Sequence, residues 1–442
     1  MRNRLLLTLA LLIVSGTAWH AASQAPIMSP EWNGNLATIT WKETLADPKA
    51  KAGETPFSIL SGPYINWLSP TMATIGWEVI AERALTQTPY ASLAKDYPVK
   101  NSAFRTATLA DLKPDTVYRY RLVSAGAGYR FESKEFTFRT LPTADTKTFR
   151  FAAIGDTQRG DKPKIDTLER TLFGMIAEWK PALLLHLGDM LPVGRGDSHA
   201  IHESWFRAQE CNNVFRANFF MAPTSGNHCW KGKGRGWYTD YFANMPGMGS
   251  GARPPFFYSF DAGNAHFVSL NTEVEKGKDK DAANRRNDLP FSYNEQLAWL
   301  DKDLAGTKAT WKVIFFHKPL HTVGHYPATD QFRKDVGALC DKYGVQLLLS
   351  GHDHSYQKTW RINNVTRGRS DKGTVQVVSG GGGGSLFDRK LAADWNIVHV
   401  KIFHYLRVEV DSDEMRFHAV DAQNQVFDSW RLKATGQPEK LS

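Results

Sequence analysis

His352 and His354 stand two residues apart in Gly351-His352-Asp353-His354, just past the apolar run Val345-Gln346-Leu347-Leu348-Leu349-Ser350. Such a run reads as a buried strand. Two imidazoles beyond its end can both turn toward one point in front of a sheet, and Gly351 permits the sharp turn this needs. Four other apolar runs end in similar fashion. Phe149–Ile154 finishes in Gly155-Asp156-Thr157-Gln158, and Ala182–Leu187 in Gly188-Asp189. Asn218–Ala222 leads through Pro223-Thr224-Ser225 to Gly226-Asn227-His228, and Trp311–Phe316 ends in His317. Each ending is a weak signal alone, because Gly-Asp is usually a turn and a lone histidine usually a satisfied core edge. Together they count, since ligands of α/β proteins gather at the carboxyl ends of strands. Carboxylate, amide oxygen and imidazole in one place suit Mn, Fe or Zn better than Ca or Mg. Two such ions ~3.5–4 Å apart need a bridging carboxylate and can hold a bridging hydroxide that attacks phosphorus in line. The cations also neutralise charge on phosphoryl oxygens in the transition state.

The surrounding pattern supplies elements to position these residues. From Phe149 onward strands and helices alternate: helical periodicity covers Ile165–Trp179, Tyr293–Leu304 and Thr329–Tyr343, and a hairpin covers Phe256–Asn271. After Thr374 strands dominate, over Thr374–Val378, Trp395–Phe403, Leu406–Val410, Met415–Ala419 and Val426–Leu432. This predicts a layered α/β domain with mixed sheets. The run Gly380 to Gly384 follows a strand, where it lets backbone pass close to a site. Before Phe149 the texture is all-β, with short strands at Met72–Ile80, Ala103–Leu109, Thr116–Ser124 and Phe131–Arg139, as in a small sandwich. Residues 24–55 show no clear period and read as an N-terminal extension.

The 442 residues are enough for two or three domains. With 42% hydrophobic and 22% charged residues, the composition is globular rather than disordered. Arg2 and Arg4, the apolar stretch Leu5 to Val14 and the small residues through Ser23 predict a signal peptide over residues 1–23, hence a periplasmic or secreted protein. A formal net charge of +9 favours anionic substrates without identifying them. Basic residues interleaved with aromatics, the mark of a nucleic-acid surface, are not seen. Three cysteines cannot build a disulfide framework, although Cys211 and Cys229 could pair in an oxidising compartment.

The ordered series of strand ends resembles the calcineurin-like metallophosphoesterase superfamily, and most of all its purple acid phosphatase branch. Tyr258-Ser259-Phe260-Asp261, the stretch His266 to Glu273, and Gly351-His352-Asp353-His354-Ser355-Tyr356 also match that branch. The resemblance implies a four-layer α/β sandwich of two mixed sheets flanked by helices over residues 146–442. It implies a preceding all-β, fibronectin III/Ig-like domain over residues 56–145. It further implies that Asp156, Asp189 and His354 hold one metal ion, with Asp189 bridging, and that Asn227, His317 and His352 hold the other. His228 would face the phosphate and either protonate the leaving oxygen or stabilise the transition state, with His325 and Asn227 contacting substrate.

Three departures stand out. Pro192 occupies the position of the tyrosine that ligates iron(III) in purple acid phosphatases, so their chromophore should be absent. Gln158 stands where many members carry histidine, and either supplies an amide-oxygen ligand or only hydrogen-bonds nearby. Cys229 replaces the acidic residue that usually follows the Asn-His pair. The reading is an exported phosphomonoesterase with two divalent ions (Fe, Mn or Zn), acting on small phosphoesters and binding neither nucleic acid nor membrane. A phosphodiesterase or nucleotide hydrolase using the same ions is the alternative, and a non-catalytic binding protein a third.

Overall fold

The structure, a computed structural model, describes residues 30–44, 50–81, 102–126, 128–158, 165–190, 213–230, 235–242, 245, 251–274, 289, 291–328 and 330–441. The expected signal peptide, Pro192 and Cys211 lie outside them.

The first strands are β1 (Glu31–Asn33), β2 (Leu36–Trp41), β3 (Ser58–Leu68), β4 (Ala73–Ile80), β5 (Ser102–Leu109), β6 (Val117–Gly126), β7 (Tyr129–Glu132) and β8 (Phe136–Arg139). They form a five-stranded sheet, β1-β2-β6-β7 with β8 also on β6, and a three-stranded sheet, β3-β4-β5. Trp41 of one sheet meets Trp77 of the other edge-on, with ring centroids 5.1 Å apart. Two expectations are corrected here. The stretch read as an extension holds β1 and β2, and β2 pairs in parallel with β6. Its alternation, with Ala37, Ile39 and Trp41 buried, is only one strand long, too short to stand out. The single strand expected over Phe131–Arg139 is two, broken at Ser133-Lys134-Glu135, and both halves pair with β6.

Two seven-stranded mixed sheets follow. Strands β9 (Phe149–Ile154), β10 (Leu183–His186), β11 (Phe220–Pro223), β19 (His404–Val410), β20 (Glu414–Asp421), β21 (Val426–Lys433) and β22 (Glu439–Lys440) run in the order β11-β10-β9-β19-β20-β21-β22. The second sheet comprises β12 (Tyr258–Ala262), β13 (Ala265–Ser269), β14 (Trp311–Phe316), β15 (Leu347–Ser350), β16 (Tyr356–Thr359), β17 (Val375–Ser379) and β18 (Asn396–Val400), in the order β12-β13-β14-β15-β17-β16-β18. Within each, the strands that lead to candidate ligands are parallel: β9, β10 and β11 in the first, β14 and β15 in the second. Apolar side chains on both faces of these strands explain why they read as unbroken hydrophobic runs. The sheets meet face to face, with the rings of Phe151 and Phe267 5.2 Å apart.

Helices cover the outer faces. Trp179 of α1 (Ile165–Trp179) lies beneath the guanidinium groups of Arg150 and Arg407 on the first sheet. Next come α2 (Asn213–Asn218), α3 (Asn227–Trp230) and α4 (Arg235–Phe242). Against the second sheet, α5 (Tyr293–Gly306) packs Trp299 on Phe257, and α6 (Asp330–Tyr343) packs Phe332 on Phe316. Ser292 and Glu295 form a reciprocal cap that starts α5. The N-terminal sheets dock on this body through Trp67 against Phe220 and a hydrogen bond from the Tyr120 hydroxyl to the Ala217 carbonyl. No described helix is long and apolar enough to cross a membrane.

Candidate metal centre

Parallel pairing lines up the carboxyl ends of the ligand-bearing strands. Three residues just beyond them, Asp156, Asp189 and His352, take φ values of 60°, 51° and 68°. Non-glycine residues enter this left-handed region at a cost of ~1–3 kcal/mol each. The conformation turns the chain back across the strand ends. It is held by hydrogen bonds from Asp156 N to the Gly188 carbonyl and from Gln158 N to the Asp189 carbonyl, both 3.0 Å.

The first group of donor atoms centres on His317, whose Nε2 lies 3.1 Å from Asp189 Oδ2. The same nitrogen is 3.2 Å from Asn227 Oδ1 and 3.2 Å from His352 Nδ1. His317 Nδ1 faces the Leu187 carbonyl at 2.8 Å and takes the proton there, which leaves Nε2 to meet a cation. Asp189, His317 and His352 bring one donor atom each within 4.8 Å of one another. The adjoining group centres on His354. Its Nδ1 donates to the Ser385 carbonyl at 2.7 Å, and its Nε2 lies 3.4 Å from Asp156 Oδ1 and 3.2 Å from the Gln158 amide nitrogen. Asp156 Oδ1 and Gln158 Oε1 are buried and accept no hydrogen bond among the described residues. Orphaned buried oxygens of this kind are costly unless a cation or donor meets them.

The electrostatics agree. Burial alone would lower the proton affinity of His317, but Asp189 and Asp156 reverse this and raise its pKa to about 9. Burial pushes the Asp156 carboxyl up. It pushes on Asp189 in the same direction, but His317 holds that carboxyl well below the usual range. Burial and the neighbouring His317 keep His352 neutral. The cluster therefore attracts positive charge.

His228 is the second residue of α3, and its backbone N–H donates to Asp189 Oδ1 at 2.7 Å. Its ring Nε2 lies 3.7 Å from Asp189 Oδ2, and its side chain is 23% exposed, so it faces the mouth of the site. Cys229 turns the other way. It is a buried free thiol that accepts from Gly226 N. The mouth is lined by rings: Tyr326 stacks on His352 at 4.5 Å, Phe387 on His354 at 4.5 Å, and His325 on Phe387 at 4.7 Å. The glycine run passes close, as expected. Gly382 N and Gly384 N donate to the carbonyls of Gly155 and Asp156, each at 2.9 Å.

All the expected site residues thus gather at one edge of the sheet pair. Tyr326, Phe387 and Asp353 were missed; the only signal was their nearness in sequence to His325, the glycine run and the histidine pair. His186 and His321 stay outside the cluster. Each is buried and pushed down to about 3 by that burial, with Thr157 and Asn364 as hydrogen-bond partners. Lys318, next to His317, pairs with the buried Glu273 at 2.9 Å.

Residues 149–356 match the calcineurin-like phosphoesterase family, so the chain carries a domain of that family. Purple acid phosphatase 23 of Arabidopsis thaliana is 26% identical over 303 residues, which span 62% of this chain and 60% of the relative. Purple acid phosphatase 15 of the same plant is 28% identical over 62% of this chain and 52% of its own length. The chain thus matches less than two thirds of either plant relative. Acid phosphatase type 7 of Homo sapiens is 26% identical over 69% of this chain and 70% of its own. Among solved structures, a purple acid phosphatase from yellow lupin (Lupinus luteus) seeds superposes with a TM-score of 0.63 at 18% identity, covering 83% of this chain and 72% of that one. PhoD does so with a TM-score of 0.61 at 14% identity, covering 86% and 93%. These likenesses show that the fold is the mixed α/β fold of the metallophosphoesterases.

Proposed function

We propose that this chain is an exported, binuclear metal-dependent phosphoesterase that hydrolyses phosphomonoesters. The observation that supports it most is the pair of adjoining donor groups, His317–Asp189–Asn227–His352 and Asp156–Gln158–His354, with buried oxygens lacking donors. Asp156, Gln158, Asp189 and His354 would hold one ion, and Asn227, His317 and His352 the other, with Asp189 shared. Divalent Fe, Mn or Zn suits this mixed oxygen and nitrogen set. When bound, such a pair supplies a water-derived nucleophile near neutral pH and neutralises charge on the phosphoryl oxygens.

The chain's own side chains do the rest. His228, beside Asp189 and open to the mouth, would carry the proton to the leaving oxygen. Asn227 and His325 would orient the phosphate. The preceding β-sheets would correspond to the N-terminal sandwich of the purple acid phosphatase branch. The basic, apolar N-terminal residues support export.

Purified protein should contain two divalent ions per chain and hydrolyse aryl phosphomonoesters faster than the matching diesters. Asp189→Asn should lose both metal and turnover. Full activity in that variant refutes the proposal, and a preference for diesters reassigns the substrate class.

A further inference from the structure

Asp353 lies between two of the proposed ligands and is completely buried. Its carboxylate is engaged by a separate segment, Thr322 to Tyr326, which follows shortly after His317. Oδ1 accepts the backbone N–H of His325 at 2.7 Å and that of Tyr326 at 3.2 Å, and Oδ2 accepts the Thr322 hydroxyl. The fit leaves no room for a side chain between them: a Cβ on Gly324 would stand 2.6 Å from the carboxylate. Gln357 holds the near end of the segment by accepting Val323 N at 2.9 Å. The far end carries the two rings that stand over the donor groups, Tyr326 on His352 and His325 beside Phe387.

A buried carboxylate is expensive unless donors surround it. Its bonds to amides are roughly twice as strong as neutral ones. Here those bonds all serve one short loop. We propose that Asp353 is a positioning residue that clamps Thr322–Tyr326 so that His325 and Tyr326 meet the phosphoester in a fixed pose. The role in substrate binding rests on the hydrolase reading above; the clamp itself does not.

The test uses the full chain with its metal content measured. Asp353→Ala should speed hydrogen exchange of the His325 and Tyr326 amides while metal content stays unchanged. It should raise KM for p-nitrophenyl phosphate by about tenfold or more, the worth of a lost charged hydrogen bond. Asp353→Asn keeps an acceptor oxygen and should recover most of that loss. In a His325→Ala/Tyr326→Ala background the same change should cost less than about twofold, because the coupled partners are gone. Thr322→Val removes one arm away from the ligands and should show the same pattern in weaker form, which covers the case that Asp353→Ala does not fold. An undiminished loss in the double-variant background, or a loss that tracks metal content, overturns the positioning role. Unchanged exchange in Asp353→Ala overturns the clamp. A wild-type chain inert toward every phosphoester overturns the hydrolase reading and the substrate role with it, whatever the exchange shows.

Discussion

His317 Nε2 and His352 Nδ1 lie 3.2 Å apart, with Asp189 and Asn227 oxygens about the same distance from the first. A tetrahedral ion with nitrogen bonds of ~2.0–2.1 Å holds two such atoms roughly 3.3 Å apart. The separation is therefore what a shared cation requires, and it is set by partners outside the pair. The Leu187 carbonyl holds the His317 ring. His352 is fixed by its turned backbone, whose N–H donates to Asp156 Oδ2 at 2.7 Å. The carboxylate proposed for one ion thus orients a ligand proposed for the other.

Gln158 tests how far the donor set departs from the Asp-x-His pattern of related enzymes. Its amide faces His354 Nε2 at 3.2 Å, and its Oε1 is buried without a donor. If that oxygen is a ligand, Gln158→His should bind the first ion more tightly, because imidazole outcompetes a neutral amide for transition metals. Competitive chelator titration measures this. An unchanged affinity would place Gln158 outside the coordination sphere.

Gly384 is the point at which the glycine run lies against the His354 ring. A Cβ there would fall against the His354 ring, 2.9 Å from Nε2. Gly384→Ala should displace the ring, cost ~1–3 kcal/mol by overpacking, and release the ion that His354 would hold. Elemental analysis and thermal melting read the two effects separately. A variant with full metal content and unchanged melting would show that the run is not confined by His354.

Much of this site was legible because its residues follow strands whose hydrophobic runs are unbroken. Asp156, Asp189, His317 and the His352–His354 pair could each be placed at a strand end from local pattern alone. What brings them together was not legible, since parallel pairing of β9 with β10 and of β14 with β15 joins segments far apart in sequence. The aromatic wall depends on the same long-range packing: nothing local links Phe387 to His354, or Tyr326 to His352. The strands at Glu31–Asn33 and Leu36–Trp41 were missed because β2 finds its partner β6 about eighty residues away.

His266 predicts a pH effect outside the candidate metal centre. Its Nδ1 lies 2.6 Å from Asp261 and its Nε2 2.9 Å from Asp303. Burial alone would lower its pKa, but the two carboxylates raise it from 6.5 to about 9. A raised folded pKa stabilises the protein fully below the unfolded value, and that stabilisation fades as pH climbs through the folded one. The contribution, on the order of 3 kcal/mol, should be present at pH 6 and lost above about pH 9. Urea unfolding of His266→Gln beside the parent chain measures it. The stability gap should shrink between those limits, and a constant gap would exclude the charged triad as its source.

His228 separates proton transfer from metal holding. Its backbone amide, rather than its ring, is what Asp189 accepts, so the ring can be changed while that bond remains. Cys229, turned inward, gives the ring no acidic neighbour in sequence to raise its basicity. His228→Gln should keep the metal content of the parent chain and lower kcat by ~10²–10⁴, the usual worth of a general acid. The loss should depend on the leaving group. A nitrophenolate departs without protonation, whereas an alkoxide does not, so glycerol phosphate should suffer more than p-nitrophenyl phosphate. Rates on a series of leaving groups decide the matter: a steeper dependence on leaving-group pKa in the variant supports proton donation. Equal losses across the series would leave His228 a role in orienting the phosphate and hand the proton to solvent.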